Sequence, residues 1–121
     1  MEKNIELGYL LDFYGEFLTK HQARLLDMHV NEDFSLAEIA EKEGISRQGV
    51  HDSLKRAEQR LLELEERMKL LRRAEQTIKG LKIIKEHLNA SASYPGQERH
   101  KELIGEEIDK LINIWEEVHG V

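Results

Sequence analysis

From Ser46 onward the chain carries no decisive helix breaker until Pro95, its only proline, and apolar residues recur through that run in steps of four and three. Val50, Leu54, Ala57, Leu61, Leu64, Met68, Leu71 and Ala74 hold the rhythm, and Ile78, Leu81, Ile84 and Leu88 extend it. Spacing of this kind draws one narrow stripe along an α-helix and no consistent face along a strand. The stripe is close to a heptad seam, which has to be covered by another helix or by a second copy of the chain. At about 1.5 Å per residue, a helix this long outruns a compact three-helix unit. Gly80 is its weak point: glycine costs about 1 kcal/mol relative to alanine inside a helix, so a kink or break belongs near 74–80.

Composition points the same way. Charged residues make up 35% of the 121 positions and aromatics 6%, a balance that suits helices with narrow stripes better than sheet. The length fits one domain, or one domain with a helical extension. There is no cysteine, which excludes disulfides and thiolate metal sites and suits a reducing compartment. The polar start and the lack of any long apolar stretch argue against a signal peptide and a membrane span, so a cytoplasmic protein is expected.

Upstream of the long run the sequence is punctuated by caps. A first helix is expected over about 4–16, with Ile5, Leu7, Leu10, Leu11, Tyr14 and Leu18 as its stripe, broadened by Phe13 and Phe17. Thr19-Lys20-His21-Gln22 reads as a capping box opening a helix over about 20–30 that buries Ala23, Leu26 and Val30. Ser35-Leu36-Ala37-Glu38 is a second capping box, opening a short helix to about Lys42 with Leu36, Ile39 and Ala40 on one face. Gly44 ends it, Ile45 follows as an apolar plug, and Ser46 caps the next helix.

That order is what a helix-turn-helix needs: a small residue at the crossing, a tight turn, a plug, and a capped second helix buried at Val50 and Leu54. The outward positions of the second helix are then Arg47, Gln48, His51 and Lys55. Arginine can engage two acceptors on guanine and glutamine can pair with adenine. Ser46 and the first amides can hold a phosphate, while Arg56 and Arg60 can add backbone contacts. Formal net charge is −6, but it is unevenly spread. Residues 1–43 hold four basic and ten acidic groups, whereas residues 44–73 hold eight basic and five acidic ones. The positive charge therefore sits on the segment assigned to recognition.

Residues 7–73 resemble the YlxM-type helix-turn-helix proteins of Gram-positive bacteria, themselves similar to region four of bacterial sigma factors. The resemblance lies in Leu11-Asp12-Phe13-Tyr14, Leu18-Thr19-Lys20-His21-Gln22, Phe34-Ser35-Leu36-Ala37-Glu38-Ile39-Ala40 and Ser46-Arg47-Gln48-Gly49-Val50-His51-Asp52. It implies a regulator set beside the signal recognition particle pathway. The chain departs from the usual pattern at Gly49, where alanine is common, and at His51, where tyrosine is common.

Beyond Arg73 the resemblance fades, and a helical hairpin is expected there from residue pattern alone. Residues 89–97, containing Pro95-Gly96, are the one obvious loop. A last helix over 98–118 carries Leu103, Ile104, Ile108, Leu111, Ile112, Trp115 and Val118, and is expected to fold back on 74–88. Six scattered histidines make no metal-binding spacing, there is no glycine-rich phosphate loop, and the carboxylates form no distinct pair. No cofactor and no enzymatic activity are expected. Met28 and Met68 read as core or seam fillers.

The sequence therefore predicts an all-α protein. Residues 1–73 form a sigma-region-four-like helix-turn-helix domain with the start of a long helix, and 74–121 a helical hairpin that dimerises the chain. The leading function is DNA binding through Ser46, Arg47, Gln48, His51, Lys55, Arg56 and Arg60. The alternative is an adaptor that docks on the signal recognition particle protein or its RNA.

Overall fold

A computed structural model describes residues 2–91 and 94–119, with side chains to Glu116. All regular structure in it is helical: α1 (Lys3–Tyr14), a single 3-10 turn (Gly15–Phe17), α2 (Lys20–Val30), α3 (Leu36–Glu43), α4 (Arg47–Met68), α5 (Leu70–Ala90) and α6 (Glu98–His119). Residues up to Leu71 close into one compact unit and those from Arg72 onward into a second.

The caps read from the sequence are made as expected. Thr19 Oγ1 accepts from the Gln22 amide and Gln22 Oε1 from the Thr19 amide, and Ser35 and Glu38 exchange the same pair of bonds. Gly44 takes the left-handed conformation at φ 67°, which lets the Ile45 amide reach back to the Ala40 carbonyl. A side chain at that φ would crowd the backbone, so glycine is the natural occupant.

α4 packs against each of the three helices before it. Val50, Ala57 and Leu61 on its inner face are fully buried, meeting a core that includes Leu10, Tyr14, Leu25, Leu26 and Ile39. Leu25 and Met28 belong to this core, while Ala23 and Leu36 are only half-buried. The first stripe is narrower than expected, for Ile5 and Phe17 are exposed. α1 gives way to the 3-10 turn at Gly15, and that change of pitch takes Phe17 off the helix's inner face.

The long run does not break at Gly80, which lies within α5. It breaks at Lys69, a non-glycine residue in the left-handed region at φ 57°. The reason is tertiary. The Lys69 amide still bonds the Glu65 carbonyl, but the next two amides leave the helix ladder. Leu70 N–H donates to the Tyr14 hydroxyl at 3.0 Å, and Leu71 N–H donates to Glu65 Oε1 at 3.1 Å. The Tyr14 hydroxyl in turn donates to the same Glu65 oxygen at 2.8 Å. Two amides freed by the break thus find acceptors, one of them on a wholly buried ring. Met68, expected in the seam, lies at the break and is 41% exposed.

In the second unit Ile78, Ile108 and Ile112 form the core, with Leu81 and Trp115 packed partly buried against it. α5 ends at Ala90, and a turn at 94–97 is closed by Gln97 N–H on the Tyr94 carbonyl with Gly96 at φ 91°. Ile84, Leu103, Ile104 and Leu111, expected on the inner faces, are exposed, because two helices offer each other only one row of positions apiece. The Val118 side chain and residues 92–93 of the loop lie outside the described residues.

Candidate nucleic-acid interface

The helix-turn-helix is α3, the turn at Gly44–Ser46, and the first half of α4. Ser46 Oγ accepts the Gly49 amide at 2.9 Å, satisfying one of the free donors that begin a helix. The amides of Arg47 and Gln48 precede it at the positive end of the helix. The cap occupies a lone pair of Ser46 Oγ but leaves its proton free to donate outward.

Gly49 bears directly on that cap. A Cβ at Gly49 would lie 3.1 Å from Ser46 Oγ and 3.9 Å from Ile45 Cδ1. An alanine there gains helix propensity but presses on the oxygen that caps the helix.

All of Ser46, Arg47, Gln48, His51, Lys55, Arg56 and Arg60 are exposed. They do not form one row. With about 100° of rotation per residue, Gln48, His51 and Lys55 share the outward stripe opposite Val50 and Ala57. Arg47 stands at one edge of that stripe, at the start of the helix. Arg56 and Arg60 fall on the opposite edge, and Arg60 also approaches Glu63 at 3.9 Å. Arg47, Lys55 and Arg56 form no ion pair among the described residues.

Two residues on the outward stripe escaped the sequence reading. Asp52 accepts a hydrogen bond from Gln48 Nε2 at 3.0 Å and lies 3.5 Å from His51 Nδ1. One carboxylate thus orients both polar side chains that flank it, and it puts a negative charge amid the basic groups. The four-residue spacing of Gln48 and Asp52 was the available signal. Gln59, one turn beyond Lys55, is likewise exposed and outward.

Beside this stripe, a cleft of about 330 Å3 opens between α1, α2, α3 and α4. Leu7, Leu26, Leu36 and Leu54 form its apolar wall, and His51 and Lys55 stand among its lining residues. Lys3 and Glu58 also line it, and their ion pair at 3.0 Å ties the start of α1 to α4. Across the turn, Arg24 of α2 pairs with Glu43 at the end of α3 at 2.9 Å, and Lys42 sits 4.7 Å above the Phe34 ring. These contacts hold the crossing of α2 and α3 from which α4 projects. No group of three His, Asp or Glu side chains among the described residues is placed to hold a metal ion. No described helix is long and apolar enough to cross a membrane.

Comparison with known proteins bears on the same residues. The family model described as "Putative helix-turn-helix protein, YlxM / p13 like" (UPF0122) matches residues 1–103, which include the whole helix-turn-helix. A UPF0122 protein of Acetivibrio thermocellus is 40% identical over 115 residues, covering 93% of this chain and 98% of the relative. Another from Clostridium perfringens (strain 13 / Type A) is 34% identical over 113 residues, covering 93% of this chain and 99% of the relative. A third, from Halalkalibacterium halodurans, is 39% identical over 93 residues, 77% of this chain and 85% of the relative. No solved structure gives a significant match. With the helix-turn-helix formed and the match running through it into α6, the chain belongs to the UPF0122 family of YlxM/p13-like helix-turn-helix proteins.

Proposed function

We propose that this protein is a regulator that binds duplex DNA through the first four turns of α4. The observation that carries the reading is the outward stripe of Gln48, His51 and Lys55, edged by Arg47, which is left exposed by a helix whose other side is locked into the core. Arg47 and Gln48 reach base edges in the major groove. Ser46 and the first amides of α4 meet a phosphate, and Lys55, Arg56 and Arg60 neutralise the backbone on either side. Asp52 holds Gln48 in one orientation, which favours a single register on the groove. Two copies present two recognition helices to half-sites one or more DNA turns apart.

The test is binding to duplexes selected from a random pool, measured against salt. A specific duplex should bind with log K falling steeply with log salt. Arg47→Ala should lower affinity for the selected sequence by about 1–3 kcal/mol and relax the preference at one base position. Binding that is absent at low salt, or indifferent to Arg47, rejects the reading.

A second reading draws on Asp52 and on the ten carboxylates of residues 1–43, which suit a basic protein better than a phosphate backbone. In it the helical unit is an adaptor that docks on the protein of the signal recognition particle, while any contact with the particle's RNA falls to the basic groups of residues 44–73. Tight binding to that protein or RNA, with no DNA affinity, selects this alternative.

A further inference from the structure

Gln48 and Asp52 stand one turn apart on α4, and the hydrogen bond between them restricts what the glutamine can offer a ligand. A carboxylate only accepts, so it must face the nitrogen end of the amide; Gln48 Nε2 donates to Asp52 Oδ1 at 3.0 Å. The reverse orientation would set Gln48 Oε1 against a charged oxygen. His51 Nδ1 lies 3.5 Å from the same Oδ1, a longer contact that competes only weakly with the amide. Both Gln48 and Asp52 stay exposed, so neither is withdrawn into the core.

An unrestrained glutamine can turn to present two N–H donors, or one donor beside its oxygen. Held by Asp52, Gln48 keeps one N–H on Nε2 and the lone pairs of Oε1. The bases answer that pair differently in the major groove. Adenine presents N7 to accept and N6–H to donate, which matches both groups. Guanine presents two acceptors, N7 and O6, and needs two donors of which only one is free. Cytosine has its N4–H donor and thymine its O4 acceptor, so each meets half of the pair. The donor count therefore selects adenine, and does so only while Asp52 occupies the other N–H. In open solvent such a pair is weakly held. Against a groove from which water is excluded, a carboxylate without a donor is costly, so the bond is kept when a base is met.

We propose that Asp52 is a positioning residue for base reading: by taking one N–H of Gln48 it makes adenine the base that Gln48 selects. The proposal rests on the reading of duplex DNA by α4 given above.

The test is selection from a random duplex pool with the native chain and three variants. The position read by Gln48 is the one whose base preference disappears with Gln48→Ala. In the native chain adenine should dominate guanine there by about tenfold or more, within what a two-bond base contact supplies. Asp52→Ala should bring the two bases to within about threefold at that position and leave the other positions unchanged. Loss of one negative charge should also raise affinity for an unrelated duplex, about twofold at low salt. In a Gln48→Ala chain, Asp52→Ala should add little at that position, because it acts through the glutamine. Both positions are exposed, and helical circular dichroism should be retained in every variant.

A native preference other than adenine at that position overturns the proposal. So does an Asp52→Ala chain that keeps the native ratio of adenine to guanine, or one whose effect is as large without Gln48. Sequence-specific binding that ignores Gln48→Ala overturns the proposal alone and leaves DNA binding standing. A native chain that binds no duplex overturns both.

Discussion

Replacing Tyr14 by phenylalanine removes one oxygen atom from the junction of α4 and α5. In the native chain that hydroxyl accepts the Leu70 amide at 3.0 Å and donates to Glu65 Oε1 at 2.8 Å, on a ring with no exposed surface. The ring itself stays, so packing changes little and the lost hydrogen bonds dominate. The Leu70 amide is left without an acceptor in a part-buried site, which costs about 1–3 kcal/mol. Loss of the donor to Glu65 adds a smaller amount, because the carboxylate still accepts from the Leu71 amide. The expected destabilisation is therefore about 2–3 kcal/mol, or a fall of about 10–20 °C in the melting temperature of a unit this size. Urea unfolding followed by circular dichroism measures the first. Hydrogen exchange at the Leu70 and Leu71 amides measures the second consequence, faster local opening at the break. A Tyr14→Phe chain within about 0.5 kcal/mol of native, with both amides equally protected, would refute the view that this hydroxyl holds the break in place.

Other substitutions test neighbouring links. Lys69→Gly should raise stability by about 0.5–1 kcal/mol, read as a higher urea midpoint, because glycine takes φ 57° without the penalty of a Cβ. Gly44→Ala should do the reverse at φ 67°, costing about 1–2 kcal/mol by the same measurement. Ser46→Ala should cost about 1 kcal/mol through the lost cap. It should also weaken binding to all duplexes alike if, as proposed, Ser46 meets a phosphate and not a base. Lys55→Ala should reduce the slope of log K against log salt by about 1 without changing which sequence is preferred.

Much of the first unit could be read directly from the order of residues because its determinants are local. The capping pairs Thr19/Gln22 and Ser35/Glu38 act across three residues, and Gly44 acts on its own φ. The inner face of α4 follows from spacing alone, and Val50, Leu54, Ala57, Leu61 and Leu64 are all buried. The position of the outward stripe follows from the same spacing. Its internal chemistry was less legible: the side chain of Asp52 could equally have turned to solvent, and only the packed helix shows it holding Gln48.

The helix break and the fate of the seam lay beyond any local reading. Gly80 is the weaker helix former, yet the chain turns at Lys69, because the acceptor for the Leu70 amide comes from a tyrosine 56 positions away. Local propensity is worth about 1 kcal/mol and is outweighed when two amides gain acceptors at another site. The apolar rhythm from Val50 to Leu88 fixed the helical period and the need for burial, both of which are properties of spacing. Which of those apolar residues are covered depends on how many helices surround each segment. α4 has three neighbours and buries its stripe, whereas in the α5–α6 hairpin Ile84, Ile104 and Leu111 are left exposed.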